Sequence, residues 1–184
     1  MDFIKTKLDG VVIVKPRVFG DNRGFFMESW SERAFEEAGL HYTFVQDNHS
    51  SSTVKGTLRG IHCQRGDAAQ AKLVRCVRGA VLDVAVDLRP SSATYKQWVG
   101  VELSEENKQQ LLIPRGFGHG FVTLTDNVEF LYKADNPYAP ADEVGILWCD
   151  EELGIDWGVA APILSAKDKI NPRLRDVVTG FEEW

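Results

Sequence analysis

The chain has 184 residues, 43% hydrophobic and 26% charged, with a net charge of −6 at pH 7. That size and balance suit one globular domain over residues 1–184 with a full core. They exclude broad nucleic-acid binding, which needs a basic surface, although a few converging arginines in an acidic protein can still hold an anion. The three cysteines, Cys63, Cys76 and Cys149, are odd in number and form no Cys-x-x-Cys. They read as reduced core thiols of a cytoplasmic protein, not as a disulfide framework or a zinc knuckle. The first seven residues have no apolar signal core, and no run reaches a bilayer-spanning length, so no membrane partner is expected.

In chain order, residues 11–15 form a short β-branched run, Asp21-Asn-Arg-Gly24 a turn, and residues 24–30 an extended aromatic stretch. Ser31 is an N-cap for a helix through Ala38 that Gly39 stops. Strands then dominate. In Val81-Leu-Asp-Val-Ala-Val-Asp-Leu-Arg89 the residues Leu82, Val84, Val86 and Leu88 share one face. Val81, Asp83, Ala85, Asp87 and Arg89 share the other, which predicts a half-buried strand with Asp87 solvated near its end. Further strands are expected at 97–103, 109–113, 120–124 and 128–133, and a short terminal helix within 168–178. Short, evenly spaced strands with turns between them indicate a mostly β chain, a sandwich or barrel with a few short peripheral helices.

The chemistry concentrates in Arg59-Gly-Ile-His62-Cys-Gln64, with Lys72 ten residues beyond the histidine. Histidine is the usual general base at neutral pH, and a nearby lysine can hold the negative charge that proton removal creates. The pair suggests deprotonation beside a carbonyl. Asp83, one strand later, is expected to pair with Lys72. The turn Pro114-Arg-Gly116-Phe-Gly-His119 resembles the second motif of the cupin jelly roll. Metal-binding cupins carry His-x-His in the first motif. Here the corresponding place reads His62-Cys-Gln64, so an open metal site would have to borrow His41 or His49, and no metal is expected.

Taken together and in order, Phe19-Gly-Asp-Asn-Arg-Gly-Phe-Phe26, Asp47-Asn-His-Ser50, the His62 motif, Ile113-Pro-Arg-Gly-Phe-Gly-His-Gly-Phe121 and Leu164-Ser-Ala-Lys-Asp168 resemble the dTDP-4-dehydrorhamnose 3,5-epimerase family. The resemblance implies a cofactor-independent isomerase on a metal-free cupin-type jelly roll, acting on a dTDP-linked 4-keto-6-deoxy sugar, and a homodimer. It implies His62 as the base, Asp168 as its orienting partner, Lys72 near the sugar ketone and Tyr132 as the proton donor. Tyr138 is the competitor for the acid role and otherwise lines the sugar pocket. By the same resemblance Arg59 and Arg23 meet the diphosphate, and Phe26 stacks on the base. Glu28, Gln46, Asp47, Asn48, His119, Glu143 and Lys167 contact substrate, with Arg23 and Glu28 acting across a dimer interface. Two features depart from the family pattern: Cys63 stands where an aromatic is usual, and Arg115 and Gly118 where glutamate and alanine are common. The alternatives are a single-site C3 or C5 epimerase, a non-catalytic sugar-binding cupin and a metal-dependent cupin oxygenase.

Overall fold

The structure is a computed structural model that describes residues 1–181. Its strands are β1 (Asp2–Lys5), β2 (Val12–Lys15), β3 (Val18–Asp21), β4 (Gly24–Met27), β5 (Gln46–Ser52), β6 (Leu58–Gln64), β7 (Lys72–Arg78), β8 (Ala80–Asp87), β9 (Trp98–Ser104), β10 (Gln110–Ile113), β11 (Phe117–Thr123), β12 (Val128–Ala134) and β13 (Glu143–Gly145). Helix α1 (Glu32–Glu37) lies between β4 and β5. A six-stranded sheet runs β1-β2-β10-β7-β12-β5 and a five-stranded sheet runs β13-β6-β11-β8-β9. The two sheets do not close into a barrel, so of the two expected arrangements the sandwich is the one formed. Among the described residues the β3–β4 hairpin pairs only with itself.

Packing occupies three layers. Between the sheets, Val74, Leu111, Ile113 and Phe130 of one sheet meet Val81, Ala85, Phe117 and Phe121 of the other. Outside the six-stranded sheet, Phe35 of α1 covers Val12, Val14, Leu73 and Leu112. Outside the five-stranded sheet, Leu58, Ile61, Val84 and Val86 are covered by Ile146, Leu153, Trp157 and Phe181 of the C-terminal segment. The alternation in β8 is as expected, but the half-buried assignment is corrected. One face meets the other sheet, and the C-terminal segment covers the opposite one. Asp87 is therefore fully buried, not solvated. It accepts hydrogen bonds from Arg89 (2.8 Å), Ser92 (2.6 Å) and Thr94 (2.7 Å) and fastens the turn into β9. Those bonds are what make the burial of a charge tolerable.

The expected helix is present, with the Ser31 hydroxyl accepting from the Ala34 amide and Gly39 at φ +76° beyond its end. The expected terminal helix reduces to one 3₁₀ turn, Leu174–Asp176, because Pro172 disfavours helical backbone at Asn171 before it. Cys63 and Cys76 are buried thiols, whereas Cys149 is exposed and so is not a core thiol.

One irregularity positions the site. β6 and β11 are in register at His119↔His62 and at Phe121↔Arg59, so Gly60 and Ile61 together oppose Gly120 alone. A regular strand would send residues three apart to opposite faces. The extra residue returns Arg59 and His62 to the same side. The backbones approach so closely here that a Cβ on Gly60 would lie 2.5 Å from the Gly120 Cα, and Gly60 has φ +131°. Only glycine fits both conditions.

Candidate active site

A cavity of ≈ 280 Å³ opens between the sheets, lined by Ser50, Arg59, His62, Lys72, His119, Phe121, Tyr132, Ser165, Lys167 and Asp168. His62 and His119 reach it from neighbouring strands of the five-stranded sheet, and Lys72 and Tyr132 from neighbouring strands of the six-stranded sheet. A ligand in the cavity is thus faced by imidazole from one side and by ammonium and phenol from the other.

His62 Nε2 lies 2.6 Å from Asp168 Oδ1 across 106 residues of sequence. Ser165 Oγ donates to Asp168 Oδ2 (2.9 Å) and accepts from the Asp168 amide (3.0 Å), and Asn171 donates to Oδ1 (3.3 Å). The carboxylate is therefore fixed before it orients the ring, as in a base-and-orienter pair. Burial alone would raise the Asp168 pKa, but the His62 hydrogen bond and charge, the Ser165 hydroxyl and Lys167 together hold it below the usual carboxylate value.

Lys72 makes no salt bridge among the described residues. Its Nζ lies 5.6 Å from the centre of the Tyr132 ring, within cation–π range. Burial lowers its pKa, and the charges of Asp83 and Glu143 partly offset this. The expected Asp83–Lys72 pair is absent, because Asp83 Oδ2 is bonded instead to His119 Nε2 at 2.9 Å. Burial pushes the Cys63 thiol up to about 12, with Lys72 opposing, so the residue after the base is a neutral filler. Burial raises the Tyr132 pKa too, reinforced by Glu143 and Tyr138 and opposed by Arg59, so the phenol keeps its proton at neutral pH.

At the mouth, Glu143 accepts from the Tyr138 hydroxyl (2.8 Å) and pairs with Lys167 (2.6 Å). Arg59 is held by Ser52 Oγ and the Ser51 carbonyl, and its remaining donors have no hydrogen-bond partner among the described residues. Gln46 donates to Asn48 Oδ1 (3.1 Å), and the buried Asn48 Nδ2 has no partner among the described residues.

Eight of the expected residues are outside the cavity lining: Gln46, Asn48, Tyr138 and Glu143, and four more that lie elsewhere within this chain. Asp47 alternates to the outer face of β5 and pairs with Lys133 at 2.9 Å. Arg23 and Phe26 sit on the β3–β4 hairpin, Arg23 with its side chain 85% exposed and paired to Asp21, Phe26 72% exposed. Glu28, just past the hairpin, is exposed. His49 and His41 are also remote: His49 pairs with Glu129 on the outer face, and among the described residues no three His, Cys, Asp or Glu groups are arranged to hold a metal ion.

Sequence reasoning missed three participants. Ser50 follows Asn48 at the strand period of two and faces the cavity. Ser165 precedes Asp168 at the Ser-x-x-Asp spacing of a side-chain-to-backbone turn, a signal that was readable. The Asp83–His119 bond joins residues from two strands and left no local trace.

Four similarities to known proteins bear on this arrangement. A family model described as dTDP-4-dehydrorhamnose 3,5-epimerase matches residues 5–176. A Salmonella typhimurium protein named dTDP-4-dehydrorhamnose 3,5-epimerase is 58% identical over 95% of this chain and 96% of its own length. A Legionella pneumophila crystal structure of dTDP-6-deoxy-D-glucose-3,5-epimerase, in complex with dTDP-4-keto-L-rhamnose, superposes with a TM-score of 0.93 at 44% identity. That match covers 98% of this chain and 96% of the Legionella chain. A Streptomyces niveus protein named dTDP-4-dehydrorhamnose 3-epimerase is 40% identical over 88% of this chain and 78% of its own.

Proposed function

The chain belongs to the dTDP-4-dehydrorhamnose 3,5-epimerase family and is an isomerase, and on that premise we propose how its cavity inverts C3 and C5 of dTDP-4-dehydro-6-deoxy-D-glucose, in dTDP-L-rhamnose biosynthesis. Both carbons flank the C4 ketone, so a proton lost from either leaves a pair of electrons that the ketone draws into an enolate. His62 takes that proton, with Asp168 holding its ring. The Lys72 ammonium faces the enolate oxygen. Tyr132 returns a proton to the same carbon from the other face, and the ketone re-forms. The proton gained by His62 and the one lost by Tyr132 are equalised through cavity solvent before the second carbon reacts.

The observation that carries this reading is the placement of base and acid on opposite sheets, since inversion requires proton removal and return on opposite faces of the ring. Arg59 and Lys167 at the rim suit the diphosphate, and Tyr138, tied to Glu143, flanks the entrance. Arg23, Phe26 and Glu28 complete the nucleotide end of a second copy's cavity in a homodimer. Arg23 and Phe26 stand exposed on a hairpin outside both sheets, and Glu28 is exposed just past it, which supports this.

The test is turnover of the dTDP-4-keto-6-deoxy sugar in heavy water, followed at both carbons by NMR. Deuterium and inversion at C3 and C5 are expected. Exchange and inversion at C3 only would reassign the chain to the activity that the Streptomyces niveus relative is named for, and at C5 only to a C5 epimerase. His62→Ala is expected to bind dTDP and exchange nothing, which distinguishes an enzyme from a sugar-binding cupin.

A further inference from the structure

Both histidines that line the cavity are paired to an aspartate, and proton transfer uses only one of the two pairs. The second, His119 Nε2 to Asp83 Oδ2 at 2.9 Å, is deeper: the side chains are 8% and 0% exposed. Its histidine is the cross-strand partner of His62, so the two rings enter side by side. The His119 ring is confined by Phe130, 6.2 Å away and nearly parallel, and by Phe121 at 6.5 Å. With Nε2 bonded to a carboxylate, Nδ1 is the ring nitrogen left for a ligand.

Asp83 carries an unused acceptor. Its Oδ1 is buried and has no hydrogen-bond partner among the described residues. A carboxylate held this way costs stability that an uncharged residue would not, and such a group calls for a functional reason. Its obvious electrostatic partner, Lys72, is not bonded to it. The arrangement thus spends Asp83 on His119 and leaves the lysine free for the enolate.

Resting on the epimerase reading, we propose that Asp83 is a positioning residue: it fixes His119 as an Nε2–H donor, so that Nδ1 is presented to the sugar beside the carbon that His62 deprotonates. Removing Asp83 lets the ring take either tautomer, and the sugar then settles in poses from which His62 cannot reach the proton. This predicts a loss in kcat and not in nucleotide affinity.

Wild type, Asp83→Asn, His119→Asn and the double variant would be compared on the dTDP-4-keto-6-deoxy sugar, with dTDP affinity and melting temperature measured alongside. Asp83→Asn is expected to lower kcat about tenfold or more, to leave the dTDP Kd within about twofold, and to add nothing to the loss in His119→Asn. A kcat within about twofold of wild type, or losses that add, would overturn the proposal, as would a lowered melting temperature with normal kcat in the folded protein. The ¹⁵N resonances of the wild-type His119 ring give an independent reading that needs no variant to fold. A protonated Nε2 supports the assignment and a bare Nε2 overturns it. Lack of turnover by wild type itself would instead count against the epimerase reading, and the ¹⁵N result would still stand.

Discussion

Tyr132 and His62 meet the cavity from opposite sheets in different electrostatic settings. The phenol is buried near Glu143 and Tyr138 and keeps its proton well past neutral pH, as a donor must. Tyr132→Phe should therefore retain removal and return of the proton by His62 on one face while losing delivery on the other. Deuterium should still wash into the substrate without inversion, with turnover reduced about 10²–10⁴-fold, as NMR of recovered sugar would report. Asp168 gives a second prediction. Its pKa lies below the ordinary 3.8, so its pairing contributes stability that is present above that value and lost as pH falls through the folded one. The difference in melting temperature between wild type and Asp168→Asn should be constant above about pH 5 and shrink on acidification below 3.8. Neither partner of this pair announces the other in sequence. A histidine in a strand and an aspartate 106 residues later are joined only by resemblance until the fold brings them to 2.6 Å.

Among the elements, β6 is the one on which the site depends most, and its bulge lies hidden in Arg59-Gly-Ile-His62. Period-two reasoning assigns Arg59 and His62 to opposite faces, and the register shift against β11 puts both in the cavity. Gly60→Ala should force the strands apart, because its Cβ would collide with backbone at positive φ. A loss of about 1–3 kcal/mol in chemical denaturation is expected, together with a larger drop in kcat than stability alone explains. Elsewhere the local signals varied in strength. Ser31 and Gly39 marked α1 because caps are local chemistry. Asp87 was misjudged because three donors from the following turn reach it, and turn geometry is not encoded in alternation.

For the whole molecule, the β3–β4 hairpin is the unfinished part. It exposes Phe19, Phe25 and Phe26 at 52%, 60% and 72% and holds Arg23 away from the chain's own cavity. In the proposed homodimer, a site combines His62 of one copy with Arg23 of the other. Arg23→Ala and His62→Ala should each be nearly inactive at low substrate. Mixing them after subunit exchange should restore up to about one quarter of wild-type sites, because one site of each heterodimer keeps both residues. Activity measured against mixing ratio checks this, and an equimolar mixture no better than either parent would place Arg23 outside a shared site.

Composition, alternation and turn residues determined the mostly β character, the position of α1 and most strand centres, because these depend on each residue's own stereochemistry and on neighbours a few positions away. The ordered motifs also pointed to seven of the residues that line the cavity, Arg59, His62, Lys72, His119, Tyr132, Lys167 and Asp168, though not how they meet. Which sheet each side chain comes from, which histidine each aspartate holds, and which faces the C-terminal segment buries were decided by tertiary structure alone. Those relations join residues tens of positions apart, where nothing in the local sequence measures distance.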